Sequence, residues 1–320
     1  MVSPGDRVAG GLLGLLIGDA LGVPYEFHAP EQIPPCEQIE MKPPAGFRRA
    51  HPGVPPGTWS DDGAQALCLL ESLLLKGRLD VDHLGRCLLD WYQNGHLAVD
   101  GAVFDVGSQT AVALDRIRAG AAADGAGPAG ERDNGNGSLM RVLPLALWHR
   151  GSDAALAADA MAQSRVTHGH LRAQLCCALY CLWARRALEG AADPWADAVA
   201  GARSLFAPGS PAREQLDLHI APPGAGALSG RGSGYVVDCL HSAVSCLARG
   251  RGFEHVVRSA IALGNDTDTT AAVAGGLAGL AHGLTGIPQR WVSALRGQET
   301  ARSLLALLLS HRAARPGSPT

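Results

Sequence analysis

Apolar residues recur along this chain at helical rather than strand spacing. Residues 64–76, AQALCLLESLLLK, place Leu67, Leu70 and Leu74 at i, i+3 and i+7. The same period predicts helices over 138–149, 153–163, 171–189, 236–249, 254–263, 269–284 and 299–312. A first helix is predicted from the run VAGGLLGLLI at 8–17, continuing as an amphipathic pattern to Glu26. Val, Ile, Thr and aromatic residues do not cluster with period two, as strands require. Three stretches break the pattern: a Pro-rich one at 28–58, a Gly/Ala/Asp-rich one at 119–137, and a Pro/Gly-rich one at 207–234. Loops of this length are functional or disordered more often than not. No stretch resembles a domain linker, and no internal repeat is visible. The expectation is an all-α, compact single-domain bundle of many helices over 1–312, with a flexible tail at 313–320.

Composition narrows the classes. The chain has 320 residues, 47% hydrophobic and 18% charged, with a formal net charge of -3. That balance suits a globular protein and demotes a nucleic-acid partner. Lys42 and Lys76 are the only lysines; the arginines are scattered. Eight cysteines occur without a C-x-x-C pair, which removes zinc-ribbon and thioredoxin readings and favours reduced, buried thiols. The run at 8–17 matches a signal sequence in length only. It leads directly into Gly18-Asp19-Ala20 after a weak basic region, so a buried helix and a cytoplasmic protein are expected. No apolar stretch is read as reaching the ~20 residues of a membrane span.

The strongest chemical signal is a pair of acidic clusters far apart in sequence: Ser60-Asp61-Asp62 in GTWSDDGAQAL, and Asp266-Thr267-Asp268-Thr269 in GNDTDTTAAVAGGLAG. Each follows a glycine that lets the chain turn, Gly57 or Gly264, and each opens a helix. Either alone is accounted for by helix capping. Together they exceed what capping needs. If both helix starts meet, four carboxylates converge with no lysine near either cluster, a charge density too costly to bury unpaired. Oxygen ligands without Cys or His point to Mg²⁺ or Mn²⁺, and two ions could share a bridging carboxylate. The EF-hand pattern is absent. Glu26, at the end of GDALGVPYEF, is a candidate fifth carboxylate; Asp19 could instead cap or pair within the fold.

Two glycine-rich turns suit an anion. NGNGSLMR at 134–141 offers Gly135 and Gly137 for close backbone approach and Ser138 as a cap or phosphate partner. GRGSGYVVD at 230–238 offers Gly232, Ser233 and Gly234, with Tyr235 either stacking on a purine or anchoring the next helix. Neither is a P-loop or a dinucleotide fingerprint. His168, in THGH, gains interest only through proximity to the other motifs. No G-x-S-x-G elbow supports a serine hydrolase.

In order, these motifs resemble those of the ADP-ribosylglycohydrolase family, of the dinitrogenase-reductase-activating type, over residues 8 to about 290. The resemblance implies an all-α fold with a cleft for two Mg²⁺ or Mn²⁺ ions. It implies removal of ADP-ribose from protein side chains, arginine above all, with free ADP-ribose as product. By motif, Ser60, Asp61, Asp62, Asp266, Asp268 and Thr269 match metal ligands, and Glu26 matches a glutamate over the metals. Gly135, Gly137, Ser138 and Met140 match a loop near the diphosphate; His168, Ser233, Gly234 and Tyr235 match positions near the rest of ADP-ribose. Glu26, Asp62 and Asp268 are the expected catalytic carboxylates. The family pattern is often Thr-Asp-Asp-Thr, whereas this chain reads Ser60-Asp61-Asp62-Gly63. Serine keeps the hydroxyl; Gly63 loses one and is a poor helix former.

Cleaving a ribosyl C1–N bond builds oxocarbenium character, and the vicinal ribose hydroxyls suit chelation. The alternatives are an O-linked or small-molecule ADP-ribosyl substrate, a non-catalytic ADP-ribose binder, and a phosphohydrolase acting on the diphosphate. A monomer with no membrane partner is expected.

Overall fold

The computed structural model describes residues 2–224 and 226–314. Fourteen α-helices occur among them: α1 (Pro4–Gly22), α2 (Asp61–Lys76), α3 (Val81–Asn94), α4 (Ser108–Arg118), α5 (Leu143–Trp148), α6 (Asp153–Arg165), α7 (Leu171–Glu189), α8 (Pro194–Leu205), α9 (Pro211–Gln215), α10 (Val236–Arg249), α11 (Phe253–Ile261), α12 (Thr267–His282), α13 (Gln289–Ala294) and α14 (Gln298–Ala313). No β-strand is present among the described residues; one isolated bridge joins Gly135 and Tyr235. The all-α expectation holds. Buried apolar side chains form one continuous cluster reaching from Val8 to Leu308. The end of the expected tail, 315–320, lies outside the described residues.

The helix pair at the centre is α1 against α12. Gly10, Gly14, Gly18 and Gly22 line one face of α1 at four-residue spacing, which keeps them on one side of the helix. They face Gly279, Gly275, Ala271 and the start of α12 backbone to backbone; a Cβ on Gly14 would lie 2.5 Å from the Gly275 carbonyl oxygen. Small residues thus let two main chains approach where ordinary side chains would hold them apart. With the turn that follows it, Pro4–Tyr25 is long and apolar enough to cross a membrane, longer than the sequence reading allowed. Here that apolar surface is spent inside the protein, with Val8 to Gly22 buried throughout.

Several boundaries differ from the periodicity. The helix expected over 138–149 starts only at Leu143, because Pro144 sits in its first turn and residues 138–142 form tight turns instead. The 207–234 stretch is not all loop: it holds α9 and a π turn over Leu216–Ile220. Helices α3, α4, α8 and α13 lie outside the stretches where the apolar period predicts helix. Of the eight cysteines, all unpaired, only Cys36 is exposed.

Candidate active site

Helix α1 is the platform on which both acidic clusters are mounted. Its Asp19 carboxylate accepts the Ser60 N–H at 2.9 Å and the Gly63 N–H at 2.8 Å, fixing the first turn of α2. Its last carbonyl, Gly22, accepts the Thr267 hydroxyl at 2.8 Å, fixing the first turn of α12. Asp19 therefore acts as a cap supplied by another helix. Burial raises its pKa to about 7 despite those N–H bonds. Gly63 is needed where it stands: a Cβ there would come within 2.8 Å of Leu16 and Trp59.

The two helix starts meet. The Thr269 hydroxyl lies 3.4 Å from Asp62 Oδ1. One oxygen each of Glu26, Asp266 and Asp268 falls within 4.8 Å of the others, and a second such group joins Glu26, His51 and Asp105. Asp62 Oδ2, Asp266 Oδ1 and Asp268 Oδ2 are buried without a hydrogen-bond partner among the described residues. Their sister oxygens are engaged: Asp266 by the Asn136 amide at 2.8 Å, Asp268 by the Thr269 N–H at 2.7 Å. Burial, then mutual repulsion, pushes Asp61, Asp62 and Asp268 well above the usual carboxylate range. Buried oxygens so oriented and unpaired fit a hard cation, which would supply the missing charge and ligation. The Ser60 hydroxyl accepts the Asp62 N–H at 3.3 Å, which leaves a second lone pair for a cation.

Glu26, Asp61, Asp62, Asp266 and Thr269 open onto a cleft of about 530 Å³, together with Gly135, Gly137, Met140, His168, Ser233 and Gly234. The loops around it are stitched by backbone bonds: Phe27 N–H to Asn265 O at 2.8 Å, Asp266 N–H to Gly232 O at 2.9 Å, and Asn136 N–H to Gly234 O at 3.0 Å. Phe27, His51, Asp105 and Asn265 all hold positive φ, between 47° and 62°, a cost tolerated where geometry is over-determined.

One anticipated binding group faces elsewhere. The Ser138 hydroxyl is fully buried against Ser164 at 2.8 Å and the Cys177 sulfur, because its turn directs it to α6 and α7. The Tyr235 hydroxyl accepts from Arg172 at 3.2 Å, and its side chain is partly exposed next to Gly234 of the cleft, at the start of α10. Ser233 reaches the cleft, yet its hydroxyl donates to Asp238 at 2.9 Å.

Four other residues were missed. His51 Nε2 lies 2.7 Å from Glu26 Oε2, and Asp105 sits beside both. Both come from loops with no motif spacing. Gln109 accepts the Gly135 N–H at 2.7 Å, so that amide is already used. Arg141, fully buried, donates to Gln65 at 3.0 Å, to Gln163 at 3.0 Å and to Thr167 Oγ1 at 2.7 Å. Gln65 in turn donates to Asp61 at 2.9 Å, so a guanidinium serves the acidic cluster through one amide. Thr167 Oγ1 accepts from Arg141, and with no other acceptor bonded to it among the described residues its own proton goes to His168 Nδ1 at 2.8 Å. This bonding assigns His168 as the Nε2–H tautomer. Burial, then the Arg141 charge, drives its pKa down to about 3, so it stays neutral and offers Nε2–H to the cleft.

Comparison with known proteins agrees. The family model described as ADP-ribosylglycohydrolase matches residues 2–317. An ADP-ribosylarginine hydrolase Tri1 of Pseudomonas putida is 34% identical over 90% of this chain and 73% of its own length. The ADP-ribosyl-[dinitrogen reductase] glycohydrolase of Rhodospirillum rubrum is 30% identical over 91% of this chain and 90% of its own. A solved ADP-ribosylglycohydrolase-related protein complex superposes with a TM-score of 0.76 at 34% identity, covering 97% of this chain and 99% of that one. With two helix starts delivering their carboxylates to one cleft and a match along nearly its whole length, the chain belongs to the ADP-ribosylglycohydrolase family.

Proposed function

We propose that the protein is a divalent-metal-dependent hydrolase that removes ADP-ribose from modified arginine side chains of proteins. The observation that carries the reading is the convergence of buried, unpartnered oxygens of Asp62, Asp266 and Asp268 beside Glu26. Two Mg²⁺ or Mn²⁺ ions would be held by Ser60, Asp61, Asp62, Asp266, Asp268 and Thr269. Bound there, they would supply Lewis acidity and counter-charge for the ribose hydroxyls. The names of the Pseudomonas and Rhodospirillum relatives support protein-linked ADP-ribose as the substrate.

The chain's own residues do the rest. The turn at Gly135 to Ser138 presents main chain to the diphosphate. The amide of Gly137 is the one left to serve there, since Gly135 N–H is bound to Gln109, Asn136 N–H to Gly234, and Ser138 is fully buried. His168 donates Nε2–H to a substrate oxygen. Water attacks ribose C1 as the C1–N bond breaks; the guanidine nitrogen leaves with the electron pair and takes a proton. Glu26 and Asp62 are placed to exchange those protons, with His51 Nε2 held 2.7 Å from Glu26 Oε2. Eight unpaired cysteines, seven of them buried, support action in a reducing cytoplasm.

The test is incubation with an arginine-ADP-ribosylated protein, with Mg²⁺ or Mn²⁺ and with EDTA. Metal-dependent release of intact ADP-ribose is expected, with Asp268→Asn folded but slowed by about 10²-fold or more. Wild-type turnover and ion affinity in Asp268→Asn would overturn the metal assignment. AMP and ribose phosphate as products would instead indicate a phosphohydrolase.

A further inference from the structure

A second depression of about 550 Å³ adjoins the cleft and shares Glu26 and Phe27 with it. Its other walls come from the Pro-rich loop, with Phe47, Arg48 and Arg49 among them. Phe27 stands between the two spaces. Its ring is 70% exposed. Its backbone is nevertheless held at φ 61° by the hydrogen bond to Asn265, a conformation costly for an aromatic residue. The His51 ring packs on that of Phe27 with centroids 5.6 Å apart, and the rest of the Phe27 ring is left open toward the groove. Phe47 packs on Tyr25 at 5.1 Å and His28 at 4.8 Å, giving the groove a firm floor. Arg49 donates to the Pro52 and Val54 carbonyls at 2.8 Å, which stiffens the loop. Arg48 is exposed and pairs with no carboxylate among the described residues.

We infer that this groove seats the polypeptide flanking the ADP-ribosylated side chain, and that it favours acidic residues there. The inference rests on the arginine-linked reading above. With ADP-ribose in the acidic cleft, a polypeptide leaving on the Glu26 side would cross Phe27 into the groove, since both residues line the two spaces. The peptide then meets an aromatic edge and two guanidinium groups. A folded or flexible protein segment suits this shape better than a nucleic acid, for which two arginines on a chain of net charge -3 are too few.

The experiment compares three substrates: free ADP-ribosyl-arginine, an ADP-ribosylated peptide with acidic flanks, and one with basic flanks. Wild type should prefer the acidic peptide, and raised salt should erode the preference. Arg48→Glu should lower kcat/KM on the acidic peptide by about threefold to tenfold and raise it on the basic one. It should leave free ADP-ribosyl-arginine unchanged, since Arg48 contacts nothing in the catalytic cleft. Equal turnover of both peptides by wild type and Arg48→Glu, with the free compound still cleaved, would overturn the groove alone. Failure of wild type on all three would overturn the arginine-linked reading itself. Preference for ADP-ribose on an oligonucleotide over both peptides would assign the groove to another class and refute the inference.

Discussion

Replacing Gly14 by alanine sets two physical effects against each other within one helix. In a helix interior, Gly→Ala is favourable by about 1 kcal/mol through backbone entropy. At Gly14 the new Cβ would sit 2.5 Å from the Gly275 carbonyl oxygen and 3.0 Å from the Phe253 ring. Neither neighbour is a flexible side-chain end, so α1 and α12 must separate by several tenths of an ångström. Overpacking of this kind costs about 1–3 kcal/mol, and more when backbone has to move. The row of glycines makes the strain collective, because Gly10 and Gly18 are just as close to the facing main chain. The expected net effect is destabilisation by about 1–2 kcal/mol. Gly5, in the first turn of the same helix, is the control: an added Cβ there meets only Leu309 Cδ2, at 3.9 Å. Gly5→Ala should be neutral or stabilising by up to about 1 kcal/mol. Urea unfolding followed by circular dichroism reads both, with unchanged m-values confirming comparable states. A Gly14→Ala protein as stable as wild type, or a Gly5→Ala protein equally weakened, would refute the argument.

The remaining predictions concern the buried network. Because the folded pKa of His168 is depressed to about 3 from 6.5, the unfolded chain binds the extra proton between those values. Its contribution to stability is therefore present above pH 6.5 and is lost as pH falls, by about 1.4 kcal/mol per unit, or about 2 kcal/mol at pH 5. Stability of wild type minus His168→Gln, measured by urea unfolding at pH 7 and pH 5, isolates this; a pH-independent difference would disprove it. Arg141→Met should cost about 3 kcal/mol or more, since it strands the side-chain oxygens of Gln65 and Gln163 in the core. The imidazole ¹⁵N shifts of His168 should also lose the single Nε2–H tautomer; an unchanged tautomer would break the proposed relay through Thr167.

Much of this molecule is determined locally. Helices α7 and α10 begin and end where the apolar period does, at Leu171–Glu189 and Val236–Arg249, because capping and the 3.6-residue repeat act over a few residues. The acidic motifs are equally legible, since two carboxylates and a hydroxyl at each helix start exceed what a cap requires. Where side chains point is not local. Ser138 belongs to a glycine turn that looks made for an anion, yet packing against Ser164 and Cys177 turns its hydroxyl inward. His51 and Asp105 reach Glu26 from two loops whose sequences carry no recurring spacing. Arg141 reads as one more scattered arginine until Gln65 links it to Asp61. The meeting of the two acidic clusters depends on α1, whose glycine face brings α12 to backbone contact while Asp19 holds α2. A sequence states which groups are present; only packing, through excluded volume and buried hydrogen bonds, decides which of them share a cleft.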